Sequence, residues 1–189
     1  MLYKGKPLAR VTLHVVGSHN VYNALAAISA AHAIGYSVPD AVRGLKNFNG
    51  IARRFERKGI AYGKTVITDY AHHPDEIRAT IGVAREIFPS VAVVFQPHTY
   101  SRTKALAAEF AAALSTADSV ILTPIFPARE TDDLGVSSKT IADLIAPEKN
   151  CTCCNSLDES VTLSKELTEK AVIFMGAGDI NIAADMLVT

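Results

Sequence analysis

Several features that mark large classes of protein are missing from the sequence. Lys and Arg together number 19, and so do Asp and Glu, so no basic excess is present to gather nucleic-acid phosphates. No uninterrupted apolar stretch is long enough to cross a bilayer, and the first residues lack the apolar core of a signal peptide. The three cysteines are too few for a disulfide framework. We therefore expect a soluble, cytoplasmic protein that binds neither nucleic acid nor a membrane.

What the sequence does contain is a regular alternation of strand and helix patterns after residue 50. Strands are predicted at 54–60, 65–69, 91–96, 120–125, 151–154 and 171–175. Helices are predicted at 74–88, 102–117, 137–146, 157–169 and from 179 onward. Short apolar strands separated by helices indicate βαβ units. The fold class is therefore α/β, with a mostly parallel sheet that carries helices on both faces.

The residues before Gly50 follow a different pattern. The stretch 9–16 alternates between apolar and polar side chains, which predicts a strand. An Ala-rich helix is predicted from Ser18, a plausible N-cap, to about Ile34, and a second short helix at 39–48. These elements do not make a complete domain. We therefore place a boundary near Gly50, with residues 1–50 and 51–189 as separate parts.

Ionisable side chains are concentrated where the predicted parallel strands end. The loops at these ends are 69–74, 96–102, 126–130 and 176–179, and three of the four are rich in His, Arg, Asp or Glu. In an open parallel sheet, ligands bind beyond the carboxyl ends of the strands. Solvated connecting loops are the alternative, but functional residues gather on loops of this kind. We predict a binding site along this edge.

Two glycine patterns resemble phosphate-binding motifs. The segment 59–65 has three residues between its glycines where a P-loop needs four, and a β-branched run follows it, so a hairpin turn is predicted instead. Gly176 and Gly178 follow a strand, but Asn181 stands where a dinucleotide fingerprint has its third glycine. An anion site at a helix start and a close-packed turn both remain open for this pair.

Metal-binding patterns are incomplete. Cys151 and Cys154 have C-x-x-C spacing, but no second pair or nearby His completes four ligands, so a strand containing thiols is predicted. His72 and His73 are adjacent and point in different directions in an extended loop. One of them can face a ligand while the other packs or forms a hydrogen bond. No metal site is assigned to the chain.

Five segments in a fixed order carry a resemblance to a known family. They are Gly17-Ser18-His19-Asn20-Val21-Tyr22-Asn23, Arg53-Arg54-Phe55-Glu56, Asp69-Tyr70-Ala71-His72-His73-Pro74, Phe95-Gln96-Pro97-His98-Thr99-Tyr100-Ser101-Arg102-Thr103 and Gly176-Ala177-Gly178-Asp179. Together they resemble the Mur ligase family. The double-His segment and the Gln-Pro-His segment are similar to those of its alanine-adding branch.

The resemblance implies an ATP-dependent ligase with three domains. Residues 1–50 would be the tail of the central ATPase domain, and residues 51–189 the Rossmann-like carboxy-terminal domain. Family members transfer the ATP γ-phosphoryl group to the carboxylate of their substrate. In the alanine-adding branch that substrate would be UDP-N-acetylmuramate, and the amine of L-alanine would then attack the acyl phosphate. The P-loop lysine and the magnesium ligands belong to the part of the central domain that this sequence does not contain. The chain therefore carries no assigned catalytic residue, and its partners would be its own central and amino-terminal domains. A sister ligase adding another amino acid or peptide, or a non-catalytic nucleotide-binding module, stays open.

Six residues are implied as contacts of ATP. An amide is both donor and acceptor, which suits an adenine edge, and the resemblance gives this role to Asn20, with Asn23 one turn further on. Helix capping is the alternative for Asn20.

The other four implied ATP contacts follow the boundary. Arg54 resembles the family arginine that meets the nucleotide phosphates, and Arg53 is predicted to be solvated. Asp69 resembles the aspartate that accepts hydrogen bonds from the ribose. Tyr70 and His72 would lie near the nucleotide and the reacting groups.

Three residues are implied as contacts of UDP-N-acetylmuramate or L-alanine. His98 and Arg102 would hold a carboxylate or phosphate. Some relatives have arginine where this sequence has Thr99, so either Thr99 forgoes that contact or Arg129 supplies it.

Overall fold

The computed structural model describes residues 1–3 and 5–189, which divide into two compact units, Met1–Ile51 and Ala52–Thr189. In the first unit, β1 (Leu2–Tyr3) pairs with β2 (Lys6–Pro7) in antiparallel fashion, and the helices are α1 (Ser18–Ala33) and α2 (Val38–Leu45). The sequence predicted Ser18 as the N-cap of α1, but Ser18 is the first residue of the helix itself. The N-cap is Gly17, whose φ of 94° lies in the region that favours glycine.

The strand predicted at 9–16 is wrong. The structure describes all eight residues, and none of them belongs to a strand. Val11, Leu13 and Val15 are half-buried and their polar neighbours are exposed, so the alternation does separate two faces. A strand also needs a hydrogen-bonded neighbour, and side-chain alternation carries no information about that partner.

The second unit contains the elements of an α/β sandwich. Its strands are β3 (Glu56–Ala61), β4 (Lys64–Asp69), β5 (Val91–Phe95), β6 (Ser119–Leu122), β7 (Asn150–Cys153) and β8 (Ala171–Met175). Its helices are α3 (Pro74–Ile87), α4 (Tyr100–Ala105), α5 (Ala107–Leu114), α6 (Lys139–Ala142), α7 (Leu157–Glu166) and α8 (Ile180–Val188). The strand order is β3-β4-β8-β5-β6-β7, in which β3 is antiparallel to β4 and every other pair is parallel. The predicted fold class is confirmed.

The side chains of alternate residues in the central strands pack into two apolar cores, one on each face of the sheet. Val93 and Phe95 of β5 face the side covered by α3, α5 and α6, whereas Ala92 and Val94 face the side covered by α7 and α8. All four side chains are fully buried. A strand buried on both faces reads as an uninterrupted apolar run, as β5 does.

Two details concern segments near the site. The segment 59–65 is a hairpin between β3 and β4, as predicted, with Tyr62 and Gly63 in the turn. The single helix predicted at 102–117 is wrong, because α4 and α5 are separated by Leu106, whose φ of −120° leaves the helical region. Leu106 itself packs against the core that α5 covers, so the apolar pattern did not reveal the break. Among the described residues, no helix has the length and apolarity needed to span a bilayer.

Candidate functional site

The strand order brings three of the predicted loops together. β8 lies between β4 and β5, so Met175 pairs in register with both Asp69 and Phe95. The loops that leave these three strands therefore start side by side at one edge of the sheet. This is the edge at which open α/β sheets bind their ligands.

Asp69 is the first ionisable residue at this edge, and it is buried. Its two carboxylate oxygens accept hydrogen bonds from the backbone N–H groups of Phe55 and Ala71, both at 2.8 Å. Burial raises the pKa of Asp69 above its ordinary value, although these hydrogen bonds and the charge of Arg54 oppose the rise. Asp69 thus ties the segment before β3 to the loop after β4.

Arg53 is not solvated, contrary to the sequence prediction. Its Nη2 donates to the backbone oxygens of Gly176 at 2.7 Å and Gly178 at 2.8 Å. Its guanidinium carbon lies 4.8 Å from the centre of the Tyr70 ring, in cation–π geometry. The residue joins three segments that are distant in sequence, and its burial could not be read from two adjacent arginines.

Arg54 and Tyr70 form the outer part of this arrangement. Arg54 is exposed, and its guanidinium carbon lies 5.5 Å from the centre of the Tyr70 ring. Tyr70 is half-buried and packs against both arginines. The exposed fork of Arg54 presents donors of the geometry that phosphate and carboxylate groups accept.

The two adjacent histidines have separate roles, as their spacing predicted. His73 is the N-cap of α3, and Glu76 completes a capping box by accepting from its backbone N–H. The ring of His72 lies 5.4 Å from that of Tyr70 and 6.1 Å from that of His98. His72 therefore links the loop after β4 to the loop after β5.

His98 and Arg102 lie at the start of α4. The ring of His98 stacks on Phe126 at a centroid distance of 5.7 Å, and its Nδ1 is 3.5 Å from Nη1 of Arg102. Burial and the nearby Arg102 and His72 lower the pKa of His98 from 6.5. The permanent positive charge of the pair is that of Arg102, and it disfavours the protonated form of His98.

Thr99 shapes this segment. It is the N-cap of α4 and has a φ of 69°, which is unusual for a β-branched residue. Its hydroxyl accepts from the backbone N–H of Arg102 at 3.4 Å, and its backbone oxygen accepts from the Thr103 hydroxyl at 2.8 Å. Thr99 therefore sets where α4 begins.

Arg129 lies on the loop after β6. It is exposed, and the next residue, Glu130, accepts a hydrogen bond from the backbone N–H of Ser101 at 3.0 Å. That hydrogen bond holds the 126–130 loop against the first turn of α4.

The glycine pair at 176–178 forms a close-packed turn, as one of the two alternatives predicted. A side chain on Gly178 would come within 2.3 Å of Oε1 of Gln96 and 2.6 Å of the Phe126 ring. The same Gln96 accepts from the backbone N–H of Ile180 at 3.2 Å and donates to Asp179 at 2.7 Å. The first amide of α8 is thus already paired with Gln96. Sequence reasoning missed this role of Gln96, although the residue lies within one of the segments that carry the family resemblance.

Asn20 and Asn23 lie in the first unit, near the start of α1. The amide of Asn20 donates to the backbone oxygen of Val16 at 2.7 Å, and the amide of Asn23 donates to the side-chain oxygen of Asn20 at 3.2 Å. Within the part of the chain that the structure describes, no side chain caps the N-terminus of α1 by a hydrogen bond. Asn20 thus anchors the chain before the helix, and the two amides form a connected pair.

The described residues include no group of three or more His, Cys, Asp or Glu placed to hold a metal ion. Asp69 and Glu76 both accept hydrogen bonds from backbone N–H groups. These two carboxylates do not by themselves form a Mg²⁺ site, because Mg²⁺ needs six oxygen ligands in near-ideal octahedral geometry. The edge of the sheet instead offers cations and neutral donors, which suit anionic groups.

Comparison with known proteins identifies the family. The family described as "Mur ligase, glutamate ligase domain" matches residues 53–178, which is more than half of the chain. The chain therefore belongs to the Mur ligase family. The match covers β3 to the turn after β8, and so it includes all the loops at the carboxyl edge of the sheet.

Individual relatives agree with this assignment. The chain is 48% identical to a UDP-N-acetylmuramate–L-alanine ligase of Lachnospira eligens, over 99% of this chain and 42% of that protein. The crystal structure of UDP-N-acetylmuramate-alanine ligase from Thermotoga maritima matches with a TM-score of 0.80 at 33% identity, covering 97% of this chain and 40% of that one. A murein peptide ligase of Psychrobacter arcticus matches with a TM-score of 0.68 at 25% identity, covering 94% and 38%. The chain spans about two fifths of the length of these relatives.

Proposed function

We propose that this chain is the carboxy-terminal part of an ATP-dependent ligase that joins L-alanine to UDP-N-acetylmuramate during peptidoglycan precursor synthesis in the cytoplasm. Residues 51–189 would be the carboxy-terminal domain, and residues 1–50 the tail of the central ATPase domain. The relatives named above support the reaction. The observation that carries the proposal is the row of Arg54, Tyr70, His72, His98 and Arg102 along one edge of the sheet.

The nucleotide is proposed to contact Arg54 of this row and, outside the row, Asp69, Asn20 and Asn23. Arg54 is an exposed guanidinium braced by Tyr70, and it is proposed to hold phosphate oxygens of ATP. Asn20 and Asn23 are proposed to contact the adenine, with Asn23 the more exposed of the two. Asp69 is proposed to meet the ribose, through carboxylate lone pairs that its two backbone hydrogen bonds leave available.

His98 and Arg102 are proposed to hold the muramoyl carboxylate or the incoming alanine. In the reaction, the substrate carboxylate takes up the γ-phosphoryl group, and the alanine amine then displaces phosphate from the acyl phosphate. Both steps build negative charge on oxygen, which a fixed cation stabilises. Arg102 supplies that cation, and the ring of His98 supplies a directional hydrogen-bonding group beside it. Arg129 is proposed as a further cation on the neighbouring loop.

Mg²⁺ is proposed to be held by the part of the protein that precedes this chain. The described carboxylates do not form a Mg²⁺ site, so no step of the reaction is assigned to a metal bound by this chain.

The test is steady-state kinetics of the full-length protein, with each substrate varied separately. Arg102→Ala should reduce kcat/KM for UDP-N-acetylmuramate or alanine by about one to two orders of magnitude, since one charge-assisted contact is lost. Arg54→Ala should show the opposite preference and act mainly on ATP. Unchanged kinetics for both variants, with normal thermal stability, would remove this row from the active site.

A sister activity is the second candidate, because the murein peptide ligase of Psychrobacter arcticus shares the fold at 25% identity. The full-length protein should accept free alanine in preference to a tripeptide. A preference for the peptide would favour the sister activity.

The 189-residue chain alone provides a separate check. Contacts to adenine, ribose and one phosphate group leave most of the triphosphate unpaired, so ATP should bind weakly. We expect no ATP hydrolysis and no submicromolar binding by calorimetry. Asp69-dependent turnover by the chain itself would contradict the proposal that it is one part of a larger catalytic unit.

A further inference from the structure

Arg53 is the residue on the carboxyl edge that no family role explains. Its guanidinium is half-buried, donates to two backbone oxygens of the 176–178 turn, and lies against the inner face of the Tyr70 ring. Its Nε is buried and has no hydrogen-bond partner among the described residues. A buried guanidinium with an unpaired nitrogen costs stability. A buried polar atom without a partner therefore calls for an explanation.

The backbone of Arg53 is as tightly held as its side chain. Its N–H donates to the carboxylate of Glu56 at 2.8 Å, and its oxygen accepts from the N–H of Tyr70 at 2.7 Å. Its φ of 59° lies in the left-handed region, so the chain turns sharply at this residue. The turn points the next side chain, Arg54, outward while that of Arg53 points inward. Both guanidinium groups meet the same ring, Tyr70, at 4.8 and 5.5 Å.

We infer that Arg53 is a positioning residue for the nucleotide side of the site: it fixes the Tyr70 ring against the 176–178 turn and so sets the place of Arg54. The inference rests on the proposed contact between Arg54 and ATP. The Nη2 donors of Arg53 are directed at the 176–178 turn. Arg53 acts by holding the ring and the turn, because its fork can donate to two carbonyl oxygens while its face stacks on an aromatic ring. A lysine cannot do both at once.

The experiment compares Arg53→Met, Arg53→Lys and Arg57→Met in the full-length protein. Arg57 is the matched control, because it is an exposed arginine whose guanidinium lies 5.7 Å from the Phe88 ring, away from this edge. Arg53→Met should raise KM for ATP about tenfold, since small displacements of a contact group cost rate and affinity steeply. KM for alanine should stay within about twofold of the parent value. Arg53→Lys should fall between the parent and Arg53→Met, and Arg57→Met should match the parent in both KM values.

The outcomes separate this inference from the proposed function. A lower melting temperature for Arg53→Met with both KM values unchanged would show a purely structural role and overturn the inference. If Arg53→Met is too unstable to assay, Arg53→Lys decides, because an unchanged KM for ATP in that variant overturns the inference equally. Arg54→Ala is measured alongside. If Arg54→Ala raises KM for ATP and the Arg53 variants do not, the inference alone fails. If Arg54→Ala has no effect on ATP either, the proposed nucleotide contact fails, and the inference fails with it.

Discussion

Nη1 of Arg102 lies 3.5 Å from Nδ1 of His98, so a permanent cation faces a titratable ring. Burial, this cation and His72 keep the pKa of His98 below 6.5. Arg102→Ala should therefore raise the pKa of His98 toward 6.5, because one of the like charges is gone. NMR titration of the histidine ring protons in the 189-residue chain measures this directly. Arg129→Ala is the control, and an unmoved His98 in the Arg102 variant would contradict the pairing.

Gly178 should not tolerate a methyl group. A side chain there would meet Oε1 of Gln96 at 2.3 Å and the Phe126 ring at 2.6 Å, so Gly178→Ala should destabilise the fold by about 1–3 kcal/mol. Gly82 provides the contrast, because it lies within α3 and has no atom within 4 Å of the added carbon. Gly82→Ala should stabilise by about 0.5–1 kcal/mol through its better helix propensity. Urea unfolding of both variants measures the difference, and equal effects would show that the turn can yield.

Asp69→Ala should lower the free energy of unfolding, whatever its effect on catalysis. The change leaves the buried N–H groups of Phe55 and Ala71 without their acceptor, at a cost of about 2–4 kcal/mol. Asp75→Ala removes an exposed carboxylate nearby and should cost less than about 1 kcal/mol. The free energy of unfolding of each variant, followed by circular dichroism, tests this. If the two variants are equally stable, the carboxylate of Asp69 does not hold the loop, and a kinetic defect of the Asp69 variant could be attributed to a ligand.

Glu56 should make the free energy of unfolding depend on pH in the acid range. The hydrogen bond from the backbone N–H of Arg53 lowers the pKa of Glu56 below 4.5. The stability that Glu56 contributes is therefore fully present above pH 4.5, and it is lost as the pH falls through the native pKa. Glu56→Gln should be less stable than the parent at pH 7, by about 1 kcal/mol, because the amide accepts a weaker hydrogen bond than the carboxylate.

The difference between Glu56→Gln and the parent should shrink below pH 4.5. Unfolding free energies between pH 7 and pH 3 test this, with Glu86→Gln as the control for the same change of net charge on an exposed helix residue. A difference that stays constant across the range would exclude Glu56 as its source.

Most of the fold could be predicted because its signals are local. The strand at 171–175 was predicted with its observed bounds, and α3 was predicted to within one residue, since its Pro and acidic first turn mark its start. The predictions of a strand at 9–16 and of a single helix at 102–117 were wrong for the same reason. Both depend on what the backbone meets in three dimensions, which an apolar pattern does not encode.

The candidate site was likewise predicted only in part. The sequence placed the ionisable loops at strand ends, and the strand order brings three of them together. The sequence could not show that the side chain of Arg53 points inward and that of Arg54 outward. The two residues are identical, and their directions are set by the backbone turn at Arg53, whose φ is 59°. Gln96 was missed as well. A polar residue at the end of a strand reads as solvated unless its partners, here Ile180 and Asp179, are known.

The central position of β8 has a consequence for how the chain acquires its structure. β4 and β5 do not touch each other, and each pairs with residues 171–175, which are made roughly a hundred residues after β4 on the ribosome. Until those residues emerge, two apolar strands have unpaired edges, and pairing across so long a separation is slow. The central strands therefore cannot complete their pairing until residues 171–175 have been made. Before then, the edges of β4 and β5 that β8 later covers are open to pairing with other chains, which favours aggregation.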